Sequence, residues 1–156
     1  MIANKTHFLK QEITYDLIDM SGVLHHPNYL VLSERGRTAA LENAGLAYQE
    51  MWSNGNGLAV FDIHCQYLKP ILMGQKVTVL TRSLQLSKVI IELEHRIIPT
   101  ELIHTASQMG FVDTHSLQFS KKKIIFSAIV KLVSVSADTL KPIRFSEKFI
   151  QALNIT

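Results

Sequence analysis

One long helical stretch followed almost entirely by strands is the pattern that most limits this chain. The helical pattern starts near Pro27, since proline suits a first turn whose N–H groups lack partners anyway. It runs through Tyr29, Leu30, Leu32, Ser33, Gly36, Arg37, Ala40 and Leu41 to Asn43, where Gly45 can end it. Ser33, Gly36, Ala39 and Ala40 are small enough to let a curved sheet come close. A short second helix is expected over 47–52, leading into the breaker Ser53-Asn54-Gly55-Asn56-Gly57.

Beyond the breaker the period changes from helix to strand. Over 58–68, Ala59, Phe61, Ile63, Cys65 and Tyr67 alternate with Val60, Asp62, His64 and Gln66. Further strands are expected over 76–86 and 89–98, where Ile91, Leu93, His95 and Ile97 oppose Glu92, Glu94 and Arg96. The strand over 123–136 is apolar on both faces, which predicts a place inside the sheet. A first strand is expected over 7–14, and a loop with a short helix over 141–153. Strand, long helix, then antiparallel strands make an α+β chain, and such a sheet can bury one face by wrapping around the single helix. The polar segment 99–122, with Phe111, Val112 and Phe119, reads as an insertion, an extra hairpin or a mobile lid.

The 156 residues fit one domain, 1–156, with 47% hydrophobic and 19% charged residues. A net charge of +3 suits anionic small molecules or acidic carrier proteins. Nucleic acid is not expected, because the cations are scattered except for Lys121-Lys122-Lys123, read here as solubilising the start of a strand. Cys65 is the only cysteine and sits mid-strand, which excludes an intrachain disulfide and favours a packed thiol. The first seven residues carry no apolar signal core and no apolar run spans a bilayer, so a cytoplasmic location without a membrane span is expected.

Chemistry concentrates in Asp19-Met20-Ser21-Gly22-Val23-Leu24-His25-His26-Pro27-Asn28-Tyr29. A carboxylate on a loop faces the start of a helix, where free N–H groups carry partial positive charge. Such amides stabilise an oxygen that becomes an anion. Asp19 is ordinarily ionised at neutral pH, which suits a base or nucleophile. Taken alone, it reads first as a turn residue bonding its own loop. Adjacent histidines do not share a helix face, so His25-His26 does not suggest a metal.

This stretch, followed by Glu34-x-x-Arg37, resembles the acyl-CoA thioesterases of the hotdog fold. It is most similar to the 4-hydroxybenzoyl-CoA and Tol-Pal-associated branch, with its Asp-x-x-Gly-Val, His-x-Asn-Tyr and Glu-x-x-Arg motifs. Tyr67-Leu68-Lys69-Pro70, Gly74-Gln75 and Lys141-Pro142-Ile143-Arg144 extend the likeness over most of the chain outside 99–122. The resemblance implies a hotdog fold, an antiparallel sheet around one long central helix, and hydrolysis of an acyl thioester to free acid and CoA. It makes Asp19 the catalytic carboxylate, puts His26 at the family histidine and sets the amide near His26 on the thioester oxygen. Gly22, Val23, Asn28 and Tyr29 would surround the substrate, Asn28 capping or orienting and Tyr29 packing.

Arg82 and Lys88 are candidates for the CoA phosphates, with solvated surface charge the plainer reading. No cofactor is implied, CoA being part of the substrate, and no metal. The partners implied are acyl-CoA, an acyl-carrier protein as another thioester source, and further copies in a homodimer or homotetramer, with Asp62, His64 and Gln66 compatible with the interface. Leu17, Ile18 and Leu24 depart from the family pattern and make the loop more apolar, which implies an altered acyl preference or weaker hydrolysis. A hotdog protein that binds acyl-CoA or acyl-carrier protein without turnover is the alternative. A dehydratase, a third possibility, relies on a different His/Asp arrangement.

Overall fold

The computed structural model describes residues 4–154; residues 1–3, part of the stretch read as lacking a signal core, and 155–156 lie outside them. Among the described residues six strands form one antiparallel sheet: β1 (Lys5–Glu12), β2 (Asn56–Tyr67), β3 (Lys76–Leu86), β4 (Ile90–Pro99), β5 (Met109–Asp113) and β6 (Phe126–Ser136). Their order is β2-β6-β4-β3-β1-β5. The helices are α1 (His26–Asn43), α2 (Tyr48–Ser53) and α3 (Glu147–Asn154). The expected α+β arrangement, an antiparallel sheet packed on one long helix, is present. No helix of the described residues is long and apolar enough to cross a membrane.

The inner face of the sheet receives α1. Val77 and Val79 of β3 and Ile91, Leu93 and Ile97 of β4 are buried there with Leu32 and Leu41 of the helix. The expected alternation in β4 holds: Ile91, Leu93, His95 and Ile97 are buried, while Glu92, Glu94 and Arg96 are half-buried on the other face. A Cβ built at Gly36 would stand 2.5 Å from Val79 Cγ1, so glycine sets how close helix and sheet approach. β6 lies between β2 and β4, in the interior position its two apolar faces predicted.

Two expectations change at β2 and at 99–122. The uniform alternation expected over 58–68 breaks at a bulge between Val60 and Asp62. Leu58 before the bulge and Cys65 after it therefore both pack on the main core despite opposite parity. The segment 99–122, expected as an extra hairpin or lid, is instead built into the sheet. It contributes edge strand β5, antiparallel to β1, and turns whose Leu102, Ile103, Val112, Leu117 and Phe119 pack with Phe8, Leu80, Ile98 and Ile124. Phe8 pairs with Leu80 in register, one residue from the helix-facing pair His7 and Thr81. This second core therefore covers the outer face of the sheet. Lys121–Lys123 form a 3-10 turn ahead of β6 rather than the start of the strand itself.

Candidate active site

The loop before α1 is a miniature hairpin. Ile18 and Leu24 form an antiparallel bridge, the Asp19 amide donates to the Val23 carbonyl at 2.9 Å, and the Gly22 amide donates to the Asp19 carbonyl at 3.0 Å. Gly22 has φ +82°, a conformation that side chains with a Cβ rarely adopt. Leu17 and Leu24 are buried in the main core, and Ile18 packs against it. The apolar departures from the family pattern thus anchor the loop to the core.

Two bonds to one carbonyl then tie the loop to the helix. Leu17 O accepts from the His25 amide at 3.0 Å and from Asn28 Nδ2 at 2.7 Å. Asn28 therefore ties the loop to the first turn of the helix. On the other side, the Leu24 amide donates to Ile71 O at 2.7 Å, and Val23 bridges to Leu72. The hairpin is held between the start of α1 and the segment joining β2 to β3.

Within it, Asp19 Oδ1 accepts from the Ser21 amide at 2.8 Å and from the Ser21 hydroxyl. Asp19 Oδ2 carries no hydrogen bond among the described residues. The Ser21 hydroxyl and then the Ser21 amide hold the carboxyl below the usual carboxylate range against the opposing effect of burial, with the Val23 amide and His25 adding less. Asp19 is accordingly ionised at neutral pH. It does bond its own turn, and that turn leaves one oxygen open.

The helix begins at His26, followed by Pro27, which has no N–H. The His26 amide has no hydrogen-bond partner among the described residues, and no side chain caps the terminus. Tyr67 at the end of β2 donates its hydroxyl to His26 O at 3.1 Å, and Tyr29 donates to Lys69 O at 3.2 Å. The Tyr29 ring packs edge-on against Tyr67 at 5.1 Å and beside Phe126 at 5.3 Å. Tyr29 is thus a packing residue that seats the helix start on the sheet. The His26 ring is exposed and meets His25 edge-on at 4.8 Å.

Asp19, Gly22, Val23, His26, Asn28 and Tyr29 are therefore gathered at one end of the sheet. Arg82 and Lys88 are not brought to them within the chain. Arg82 lies on the outer face and pairs at 2.5 Å with Glu94, which also binds Arg96 at 2.8 Å. Lys88 sits in the turn between β3 and β4, at the far end of both strands. Among the described residues no three His, Cys, Asp or Glu side chains are grouped to hold a metal. Ser21, His25 and Tyr67 escaped sequence reasoning. An Asp-x-Ser turn signal was legible for Ser21, whereas Tyr67 acts across 41 residues and left none.

Residues 14–153 match the thioesterase-like superfamily. Over 70 residues the chain is 39% identical to “Putative acyl-CoA thioesterase YneP” of Bacillus subtilis, a match covering 45% of this chain and 51% of the relative. The chain spans about half the length of the curated relatives it matches. Among solved structures it is similar to a 1,4-dihydroxy-2-naphthoyl-CoA thioesterase from Synechocystis, with TM-score 0.76, 14% identity and 95% of each chain covered. It is also similar to a DHNA-CoA thioesterase from Staphylococcus aureus, with TM-score 0.75, 23% identity, and 94% and 87% of the two chains covered. These likenesses show the hotdog fold. With a family match that runs from the loop before α1 through to α3, the chain belongs to the thioesterase-like superfamily.

Proposed function

We propose that the protein hydrolyses an acyl-CoA thioester to the free acid and CoA at the Asp19 loop. The observation that carries this reading is a carboxylate with one oxygen anchored by Ser21 and the other open, on a loop tied to a helix start whose His26 amide is unpartnered. Asp19 acts as nucleophile or as the base that takes a proton from water. The carbonyl oxygen gains charge as the attacking oxygen adds, and the His26 N–H stabilises it. Where water attacks, the C–S bond then breaks, the acid is released and the CoA thiolate takes up the proton that Asp19 accepted. Where Asp19 attacks, the same break leaves an acyl-Asp19 anhydride, which water cleaves to the free acid, its proton going to the thiolate. The motif spacing from Asp19 to Arg37 favours the 4-hydroxybenzoyl-CoA and Tol-Pal-associated branch within the superfamily.

A second reading is supported by the same turn. The Ser21 bonds to Asp19 are what a purely structural turn residue makes, so a protein that binds acyl-CoA or an acyl-carrier protein without turnover is the alternative. Release of free thiol across a panel of acyl-CoA chain lengths separates the two. Hydrolysis with loss of about 10²–10⁴-fold in kcat for Asp19→Asn supports catalysis. Wild-type turnover in that variant sinks the assignment, and tight binding with no thiol release makes the alternative correct.

The site also argues for a second copy. β2 is an edge strand, and it exposes Val60, Phe61, Ile63 and Tyr67 as well as the polar Asp62, His64 and Gln66. An edge of that length invites pairing with another chain. Asn56 pairs with Ser136, and Val133 with Ile90, so the Lys88 turn lies at the Asn56 end of the sheet. Twofold antiparallel pairing through the middle of β2 would carry the Lys88 turn of one copy toward the Asp19 loop of the other. A homodimer through β2, alone or stacked into a tetramer, follows from this reading, and Lys88 then serves the neighbouring site.

A further inference from the structure

The one run of like charge in the chain lies close to the Asp19 loop. Lys121–Lys123 form a 3-10 turn capped by Ser120, whose hydroxyl accepts the Lys122 amide at 3.3 Å. Behind the turn, Ile124 and Ile125 are buried. The Ile125 carbonyl accepts the amides of both Leu68 and Lys69 at 3.0 Å, fastening the turn to the chain leaving β2. Lys69 closes the junction by donating its ammonium to the Lys122 carbonyl. Cations more than 50 positions apart in sequence are thereby collected on one lip.

That lip is connected to the candidate site through two hydroxyls. The Lys69 carbonyl accepts from Tyr29, and Tyr67, two residues or about 7 Å of extended chain away, bonds the His26 carbonyl. Lys69, Lys121, Lys122 and Lys123 are all exposed. None has a carboxylate partner among the described residues, where the ion pairs engage Arg37, Arg82, Arg96, Lys131 and Lys148 instead. Four neighbouring ammonium groups without counter-charge create a positive potential that draws a polyanion.

We infer that Lys69, Lys121, Lys122 and Lys123 bind the nucleotide phosphates of CoA at the Asp19 site, a role for the 99–122 excursion that returns these lysines to the site. This rests on the acyl-CoA reading above. The nucleotide carries a diphosphate and a 3′-phosphate, a compact group of negative charge, and flexible lysines serve such groups as point charges. The neutral pantetheine arm joins that group to the thioester. Leu68, Leu72 and Met73 are exposed beside the Lys69 corner and offer the arm an apolar surface. Arg82 is a poorer candidate, since Glu94 already satisfies it and Arg96 together.

The test compares one acyl group carried by CoA and by N-acetylcysteamine, which lacks the nucleotide, in the wild type and in K121Q/K122Q/K123Q. The expected result is a KM for acyl-CoA raised about tenfold or more, with kcat and the N-acetylcysteamine KM unchanged. Titration of adenosine 3′,5′-bisphosphate into the two proteins reads the lip without turnover, and its affinity falls by a similar factor. If the wild type hydrolyses neither thioester yet binds the bisphosphate through these lysines, the lip stands and the thioesterase reading falls. The inference is overturned by an unchanged acyl-CoA KM or by equal KM changes for both thioesters.

Discussion

Ser21 governs the charge state of Asp19, since its hydroxyl and amide are the two largest influences holding that carboxyl down. A depressed carboxyl stays ionised as pH falls, and activity that needs the anion is lost only below its folded value. On the proposed mechanism the acid limb of kcat/KM therefore lies below pH 3.8, the ordinary value for Asp19. Ser21→Ala removes the hydroxyl bond, and the limb moves up toward that value; a pH–rate profile that does not shift removes Ser21 from the mechanism. Asp19, Gly22 and His26 could be singled out by residue type and spacing before any fold was known. His25 could not be ranked above His26 from order alone, because its influence on Asp19 depends on how the hairpin folds back.

At the scale of elements, α1 and β3 are set by the small residues on the helix. A methyl group at position 36 meets Val79 Cγ1 and Thr81 Oγ1, on a strand buried on its inner face. Gly36→Ala is expected to cost about 1–3 kcal/mol, the usual effect of overpacking, despite the better helix propensity of alanine. Urea unfolding monitored by circular dichroism measures it, and a variant as stable as the wild type shows that the strand yields. The start of α1 at its proline and the alternation of β4 were legible because both are written in neighbouring residues. The bulge at Val60 and Asp62 was not. It depends on how β2 lies along β6, and one inserted residue reverses every later side chain.

The whole molecule carries two buried histidines on the face that meets α1. His7 Nε2 lies 3.0 Å from Asn43 Nδ2, and His95 Nδ1 lies 3.1 Å from Thr81 Oγ1. Burial pushes His7 down to about 4, and burial with the Arg37 charge pushes His95 to about 3, from 6.5. The unfolded chain binds protons that the folded chain refuses. Their contribution is fully present above about pH 6.5 and is lost as pH falls toward 4 and 3, by about 1.4 kcal/mol per pH unit for each histidine. Urea midpoints between pH 7.5 and 5 should fall accordingly, and His7→Asn should flatten the slope; an unchanged slope means that His7 titrates normally in the fold. Assembly belongs to this scale as well. Light scattering is expected to give a dimer or tetramer mass and Ile63→Lys a smaller species with less activity, whereas a wild-type monomer would remove the second copy from the site.

The amino-acid sequence by itself determined the long helix and the strands outside 99–122, and it marked the Asp19 to Tyr29 loop as the place for chemistry. Period, proline and glycine act over a few residues, so one chain of letters suffices to read them. Tertiary structure alone decided that Leu17 and Leu24 anchor that loop and that Arg82 is held by Glu94. It alone turned 99–122 into an outer-face cover that returns three lysines to Lys69. Each of these depends on contacts between residues far apart in sequence, which exist only once strand order and register have been set by packing the sheet on α1.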